Sequence, residues 1–484
     1  MKNVLKDLEP YEVFKYFEEI SQIPRGSANE KGISDYLVSF AKAHDLQVIQ
    51  DSNLNIIIKK PASLGYEKSP IVILQGHMDM VCEKNSDTVH DFLKDPLKLR
   101  IEEDMIYATG TTLGADNGIA VAMSLAILAS KDILHPALEV LVTTEEETGM
   151  GGAMGLDAKN VKGRMLINID SEEEGKLLVS CAGGVRATTS LPITFEKASE
   201  NAVACLLKVR GLKGGHSGMD ILKGKANSNK IMSRLLKGLA STFDFYLVSL
   251  NGGSKSNAIP REMDAVIMLD PKQLAPLKEE LEKWNQTFKN EFKVSDSNIS
   301  LELEVLDKKF EKVFSKDCTK KAIDLLVLLP SGVQTMSMEI ENLVQSSTNL
   351  GVVTTTNTEV LYDSAVRSSV KSLKEDILVI SKVVSESLGA SFKTQSDYPD
   401  WQYNADSKLR IVFEDTYKKM YGTAPEIIAI HAGVECGLFK ETFKEIDMIS
   451  FGPNLYDVHT PDEHMSISSV KNTFDYLLEV LKTL

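Results

Sequence analysis

In "ILQGHMDMV", which begins at Ile73, an apolar run reaches Gly76 and then presents His77 and Asp79, two residues apart. The same kind of group recurs in comparable places. Glu145, Glu146 and Glu147 follow "LEVLVTT", and Asp170 follows "RMLINI". His459 lies in the segment after "IDMISF", and Asp116 sits in "GTTLGADNG", just before an Ala-rich run. Two imidazoles and three or more carboxylates suit Zn²⁺ or a similar first-row ion. Left to themselves, such carboxylates repel: a pair ~4 Å apart costs about 4 kcal/mol at an effective dielectric of roughly 20. Two divalent ions would bring four positive charges, and three carboxylate ligands with one bridging hydroxide would bring four negative ones. That balance favours a pair of ions over a single one.

Taken singly, each residue has a plainer role. Asp79 could form a turn, Asp116 could cap a helix, and Glu145–Glu147 could be a solvated loop. Asp170 could belong to an acidic turn, and His459 to the surface. What changes the reading is where they fall. "NLNIIIKK", "SPIVILQG", "HPALEVLVTT" and "GRMLINID" read as short strands, the last two apolar on both faces as in the middle of a covered sheet. "SANEKGISDYLVSFAKAH" reads as a helix opened by a Ser27–Glu30 capping box. "DNGIAVAMSLAILAS" reads as a buried helix. This is α/β grammar, and open α/β sheets bind ligands at the carboxyl ends of their strands. Four strand ends and one helix start deliver the acids and histidines to that edge.

The pattern changes at "CAGGVR", where Gly183 and Gly184 read as a hinge. From 185 to 398, half-exposed strands such as "NAVACLLKVRGLKGG" and "TNTEVLYDSAVRSS" alternate with amphipathic helices such as "KANSNKIMSRLLKGLAST". That is the pattern of an α+β domain on an antiparallel sheet. After "SDYPDWQ" the first grammar returns, with "SKLRIVFEDTYKKMYG", "EIDMISFGP" and a closing helix. The expected organisation is therefore an α/β catalytic domain in two parts, 1–184 and 399–484, interrupted by an inserted domain, 185–398.

Composition narrows the partners. The 484 residues are 43% hydrophobic and 25% charged, with a formal net charge of −15. No basic run could neutralise a phosphate backbone, so nucleic acid is not an expected partner. The opening residues lack a signal-peptide pattern, and no stretch reaches the ~18 uninterrupted apolar residues of a membrane span. The cysteines, Cys82, Cys181, Cys205, Cys318 and Cys436, form no CxxC pair, so neither a disulfide framework nor a thiolate zinc site is expected. A reducing, cytoplasmic compartment follows.

The motifs "HMDMV", "GTTLGADNG", "EEETGMGGA", "NIDSEEEG", "GGHSG", "NAIPRE", "HAGVECGLF" and "HTPDE" occur here in one order. Together they resemble the aminoacyl-histidine dipeptidases (peptidase D, the cytosolic non-specific dipeptidases of bacteria). Those enzymes belong to the superfamily of co-catalytic zinc peptidases with carboxypeptidase G and aminoacylase. The resemblance runs from about Asp51 to the C-terminus.

It implies an α/β/α zinc-peptidase catalytic domain with an α+β lid. It implies two Zn²⁺ per subunit, with Co²⁺ or Mn²⁺ able to substitute. His77 and Asp170 would hold one ion, Glu147 and His459 the other, and Asp116 would bridge them through a cis bond to Asn117. Asp79 joins the catalytic set by hydrogen-bonding His77 and fixing its tautomer. Glu146 would be the general base, and Glu145 a spectator. His216 in "GGHSG" would donate to the oxyanion. Arg367 would grip the substrate's C-terminal carboxylate, and Asn257 its backbone. His431 and Glu435 would line the pocket, Glu435 near the substrate's amino end. The resemblance also implies a homodimer, although this lid is long enough to supply His216 in cis.

The activity implied is hydrolysis of unblocked dipeptides, including carnosine-type ones with C-terminal histidine. Two alternatives stand beside it. One is an N-acyl amino acid deacylase or tripeptidase on the same scaffold. The other is a peptide-binding module without catalysis, against which the intact catalytic positions argue.

Overall fold

The computed structural model describes residues 3–484. Its contacts divide the chain into two compact units. The first contains the residues up to Ser180 with Tyr403–Ala429 and Val434–Leu484. The second contains Cys181–Gln402 and the short segment Ile430–Gly433. The architecture is mixed α/β, and no helix among the described residues is long and apolar enough to cross a membrane.

In the first unit an eight-stranded sheet runs in the order Gln47–Gln50, Ile56–Lys60, Leu138–Thr143, Val72–His77, Met165–Asn168, Asp447–Ser450, Lys176–Cys181, Glu426–Ile430. Its centre is parallel: Val72–His77 pairs with both Leu138–Thr143 and Met165–Asn168, which in turn pairs with Asp447–Ser450. The two strands Val72–His77 and Leu138–Thr143 are buried along their whole length, as a parallel sheet covered by helices requires. The helix Ala115–Ala129 is buried on nearly every side, which explains why its sequence shows no polar face. Helices Lys408–Tyr421 and Ile467–Thr483 begin at Ser407 and Ser466, whose hydroxyls accept the backbone N–H groups of Arg410 and Ser469.

Because the central strands are parallel, their carboxyl ends share one edge. His77 stands opposite Thr143, and Asn168 stands opposite both Gln75 and Ser450. The chain leaves each of these ends into a loop that carries candidate ligands.

The second unit holds a nine-stranded antiparallel sheet. Its main path is Ser300–Leu306, Val203–Arg210, Met263–Leu269, Phe245–Gly252, Val344–Thr355, Glu359–Ser368, Gly183–Pro192, Ser391–Tyr398, and Gly332–Met336 also pairs with Val344–Thr355. Alternation along Val203–Arg210 sends Cys205, Leu207 and Val209 into a core shared with helix Ser228–Leu239.

Two local expectations are corrected. Helix Lys31–Ala43 has Glu30 at its N-cap with no side-chain cap. The Ser27 hydroxyl instead donates to Asp79 Oδ2 at 2.8 Å, and Glu30 Oε1 accepts the N–H of Glu145 at 3.1 Å. Gly183 and Gly184 do not form a hinge. They open the strand Gly183–Pro192 and are paired with Ser368 and Arg367. Their smallness answers a close approach: a Cβ on Gly183 would meet the backbone of Asp400 and Pro399 at 2.7 Å.

Candidate metal centre

In the first unit, one acid stands between two imidazoles. Asp116 Oδ1 lies 3.2 Å from His77 Nε2, and Asp116 Oδ2 lies 3.1 Å from His459 Nε2. Asp170 Oδ1 is 3.5 Å from His77 Nε2, and Glu147 Oε2 is 3.1 Å from His459 Nε2. Ligand atoms of His77, Asp116 and Asp170 lie within 4.8 Å of one another, as do those of Asp116, Glu147 and His459. Glu146 falls within the same span of His77 and Glu147. Glu145 is exposed and belongs to none of these groups.

The donor set is two imidazole nitrogens and three carboxylates, which suits a pair of divalent first-row ions. Two oxygens in it, Glu147 Oε1 and Asp170 Oδ1, are buried and accept no hydrogen bond. Buried carboxylate oxygens are rarely left so, and cations would satisfy both. The residues present therefore fit a dinuclear site.

Side chains that are not in this donor set hold it in place. Asp79 is fully buried. Its Oδ1 accepts the N–H of Glu146 at 3.1 Å and faces His77 Nδ1 at 3.3 Å. Its Oδ2 accepts the N–H of Glu147 at 3.3 Å. His77 Nδ1 also lies 3.1 Å from the Asp79 carbonyl, so Nδ1 carries a proton, and Nε2 is the nitrogen that faces Asp116 and Asp170. Asn117, joined to Asp116 by a cis peptide bond, accepts the His77 N–H and donates to the Ile169 carbonyl at 2.6 Å.

Two further anchors gave no signal in the sequence. The buried Glu463 carboxylate accepts four backbone N–H groups in a row, from Leu113 (2.7 Å), Gly114 (2.9 Å), Ala115 (2.8 Å) and Asp116 (3.3 Å). It thereby ties the loop that carries His459 to the loop that carries Asp116. Arg25 is wholly buried and donates to the carbonyls of Met78 (3.0 Å) and Gly114 (2.5 Å), joining the loops that follow His77 and precede Asp116.

Without cations, protons compensate the crowded charge. Burial opposes a charged His77, but Asp170, Asp116 and Asp79 prevail and hold its pKa well above the usual value. Hydrogen bonds to Asp116 and Glu147 lift His459 to about 10. Burial would raise Asp116, yet its bonds to the two imidazoles hold it well below the usual carboxylate range. Burial pushes Glu146 up to about 9, against the pull of His77 and with help from Asp170 and Glu435. Burial also lifts Asp170, to about 6, and Glu435, to about 7. Glu435 is buried in this unit, where Oε2 accepts Gln75 Nε2 at 2.6 Å and the Thr143 hydroxyl at 2.9 Å, while Oε1 accepts nothing.

The second unit gathers the other candidates. His216 and Ala258 pair in a two-stranded ladder, and the Ser217 N–H donates to the Asn257 carbonyl at 2.8 Å, which sets Asn257 beside His216. His216 Nδ1 accepts the N–H groups of Gly218 (3.3 Å) and Met219 (3.1 Å). The imidazole proton is thereby confined to Nε2, leaving that nitrogen as a donor. Burial lowers the His216 pKa, and so does the nearby Arg367. His431 is buried, and burial with the Arg367 charge depresses it to about 3; its Nε2 lies 2.7 Å from the Ser347 hydroxyl. Arg367 is 8% exposed, yet no carboxylate pairs with it among the described residues. Its one side-chain hydrogen bond among them is to the Tyr398 hydroxyl at 2.9 Å, and its Nε has no partner. A buried guanidinium without an acid is costly unless an anion comes to it.

Fold and site together define a peptide hydrolase: residues 73–483 match peptidase family M20/M25/M40, and the chain belongs to that family. Within it, the chain is 39% identical over 478 residues to the cytosol non-specific dipeptidase of Escherichia coli (strain K12), covering 99% of this chain and 98% of that one. The crystal structure of an aminoacylhistidine dipeptidase from Vibrio alginolyticus superposes with a TM-score of 0.96 at 39% identity, over 99% of this chain and 98% of that one. A tripeptidase from Staphylococcus aureus shares the fold at a TM-score of 0.56 and 15% identity, over 98% of each chain.

Proposed function

We propose that this chain is a dipeptidase using two divalent metals, acting on unblocked dipeptides and on aminoacyl-histidine dipeptides among them. The observation that carries the reading is Asp116, whose two oxygens each face a different imidazole, at 3.2 and 3.1 Å. A carboxylate so placed is built to bridge. His77 and Asp170 would hold one ion, and Glu147 and His459 the other. Zn²⁺ is the proposed metal, two per subunit, and the same ligands accept Co²⁺ or Mn²⁺. When bound, such a pair polarises the scissile carbonyl and acidifies a water.

The chain's own groups supply the rest. Glu146, whose carboxyl accepts no hydrogen bond among the described residues, takes the proton of the attacking water and returns it to the leaving amine. Asp79 keeps His77 in the right tautomer and holds the backbone of Glu146 and Glu147. His216 donates Nε2–H to the oxyanion. Arg367 receives the substrate's C-terminal carboxylate, Asn257 holds the substrate backbone, and His431 lines the pocket. Glu435 Oε1 meets the substrate's ammonium. The second unit is, on this reading, the lid.

The E. coli relative is named as cytosolic, and no cysteine forms a disulfide among the described residues, which supports a reducing compartment. Two features support a homodimer. Helix Lys371–Ser387 exposes Val379, Ile380 and Val383, and the strand Ser391–Tyr398 is an edge of its sheet.

The test is hydrolysis of a dipeptide, its N-acyl derivative and a tripeptide by protein as purified, chelated and reloaded. The dipeptide should be preferred, and activity should vanish and return with the metal. Activity that survives chelation, or a preference for the N-acyl compound, would reject the proposal. Glu435→Gln should harm the free-amine substrate far more than the acylated one.

A further inference from the structure

Three residues form a row across neighbouring strands in the second unit. Gly184 is the register partner of Arg367 on one side and of Tyr398 on the other. Strands lie about 4.8 Å apart, so the outer two residues stand roughly 10 Å apart at their Cα atoms. Because Gly184 has no side chain, the phenol lies across it and reaches the guanidinium, with Arg367 Nη1 donating to Tyr398 Oη at 2.9 Å. A methyl group at Gly184 would collide with that phenol oxygen. Gly433 is small for a related reason, since a Cβ there would sit 2.6 Å from the same ring. From the other side, Lys374 Nζ donates to the Tyr398 carbonyl at 3.0 Å and to Asp397 at 2.5 Å. Two glycines and a buried lysine thus build a seat for one phenol.

The seat fixes what the hydroxyl can do. Its oxygen already accepts from Arg367, so its own proton must go elsewhere, and no described group of this unit accepts it. Arg367 is in the same position, with most of its five N–H donors unused. A cation and a polarised hydroxyl side by side, both with free hydrogens, make a surface for a carboxylate.

We propose that Tyr398 is a specificity-determining residue, its hydroxyl donating a second contact to the substrate's C-terminal carboxylate beside Arg367. This rests on the reading of Arg367 given above and adds the residue that completes the clamp.

The experiment compares a dipeptide with its C-terminal amide, for the wild type, Tyr398→Phe, Gly184→Ala and Arg367→Met. A hydrogen bond to a charged group contributes enough for Tyr398→Phe to lose about 10- to 100-fold in kcat/KM on the free acid, chiefly in KM. On the amide it should lose no more than about twofold. Gly184→Ala, which pushes the phenol aside without removing it, should show the same selectivity. Tyr398→Phe should still lower activity on the free acid in the Arg367→Met background. Equal losses on acid and amide would reduce Tyr398 to a structural role and overturn the proposal. So would no loss on either, or an effect that disappears once Arg367 is gone. If Arg367→Met leaves the acid-to-amide ratio intact, the carboxylate pocket itself is wrong. If Arg367→Met collapses that ratio while Tyr398→Phe preserves it, only the role of Tyr398 fails.

Discussion

Glu463→Gln is the sharpest test of how the metal centre is held. The change keeps side-chain shape and replaces one oxygen with an amide nitrogen. Each native oxygen accepts two N–H groups, Oε2 from Leu113 and Gly114, Oε1 from Ala115 and Asp116. Whichever way the new amide turns, its NH₂ faces two backbone donors. Two hydrogen bonds are lost and two N–H groups are left buried and unpaired, at about 1–3 kcal/mol each, or about 2–6 kcal/mol in all. Part of this falls on the fold and part on the metals, because the broken contacts are those that bind the loop of His459 to the loop of Asp116. Loss of an outer support usually weakens metal binding by about 10- to 100-fold, equivalent to about 1.4–2.7 kcal/mol. The ion between Asp116, Glu147 and His459 should suffer most, and the one at His77 and Asp170 less. Calorimetric titration of chelated protein with Zn²⁺ would resolve this as one binding step that weakens and one that persists. Kinetics at saturating metal should then recover much of kcat. If the variant binds both ions as tightly as the wild type, Glu463 does not position Asp116, and the division of labour argued from the geometry is refuted.

Other expectations follow from the same site. Glu146→Gln should keep both metals and lose about 10²- to 10⁴-fold in kcat, the usual contribution of a general base, read by metal analysis beside turnover; unchanged turnover would mean the base lies elsewhere. Arg367→Met should raise KM for dipeptides by at least tenfold with a smaller change in kcat, in steady-state assays. Loading chelated protein at pH 7 should release protons, at least about two per pair of ions, from His77 and His459 and from Glu146 as its charge is restored, seen as a buffer-dependent calorimetric enthalpy. In chelated protein His459 and Glu146 have folded pKa values of about 10 and 9, above their ordinary ones, so the folded state binds more protons. Its stability should therefore fall as pH rises from about 6 toward 9, by at most about 1.4 kcal/mol per pH unit from Glu146, with solvent screening at the half-exposed His459 reducing its share. Metal-loaded protein should lack that slope, and equal slopes in thermal melts would contradict the proton compensation.

The parts of this chain that were legible in the sequence are those written in local periodicity. Apolar strands ending in acids and histidines gave the sheet and its functional edge, because parallel strands place their carboxyl ends together regardless of loop detail. What stayed hidden depends on partners far away along the chain. Ser27 and Glu30 match a capping box, but the hydroxyl of Ser27 is taken by Asp79, 52 residues on. Glu463 reads as one acid in "HTPDE", since its partners are backbone N–H groups some 350 residues earlier, which carry no side-chain signature. Gly183 and Gly184 looked like a flexible joint, although their task is to admit other groups at close range. Tyr398 could not be found at all without the register that sets it opposite Gly184.

The distribution of hydrogen bonds also bears on which acids are ligands, a question that the run Glu145–Glu146–Glu147 leaves open. A carboxylate whose lone pairs are already engaged by N–H groups cannot readily turn to a cation. Asp79 and Glu463 are engaged in this way, so they can stand close to the ions, add negative potential and fix geometry without competing as ligands. Glu147 Oε1 and Asp170 Oδ1 are buried and accept no hydrogen bond, which leaves their lone pairs open to a cation. Glu145 is exposed, with its backbone N–H held by Glu30. Glu146 remains: close to the cluster, with no hydrogen bond to its carboxyl among the described residues, and with burial working against its charged form. The three neighbouring glutamates thus differ in what surrounds their oxygens, and that difference, more than their order in the chain, supports the proposed roles of ligand, base and bystander.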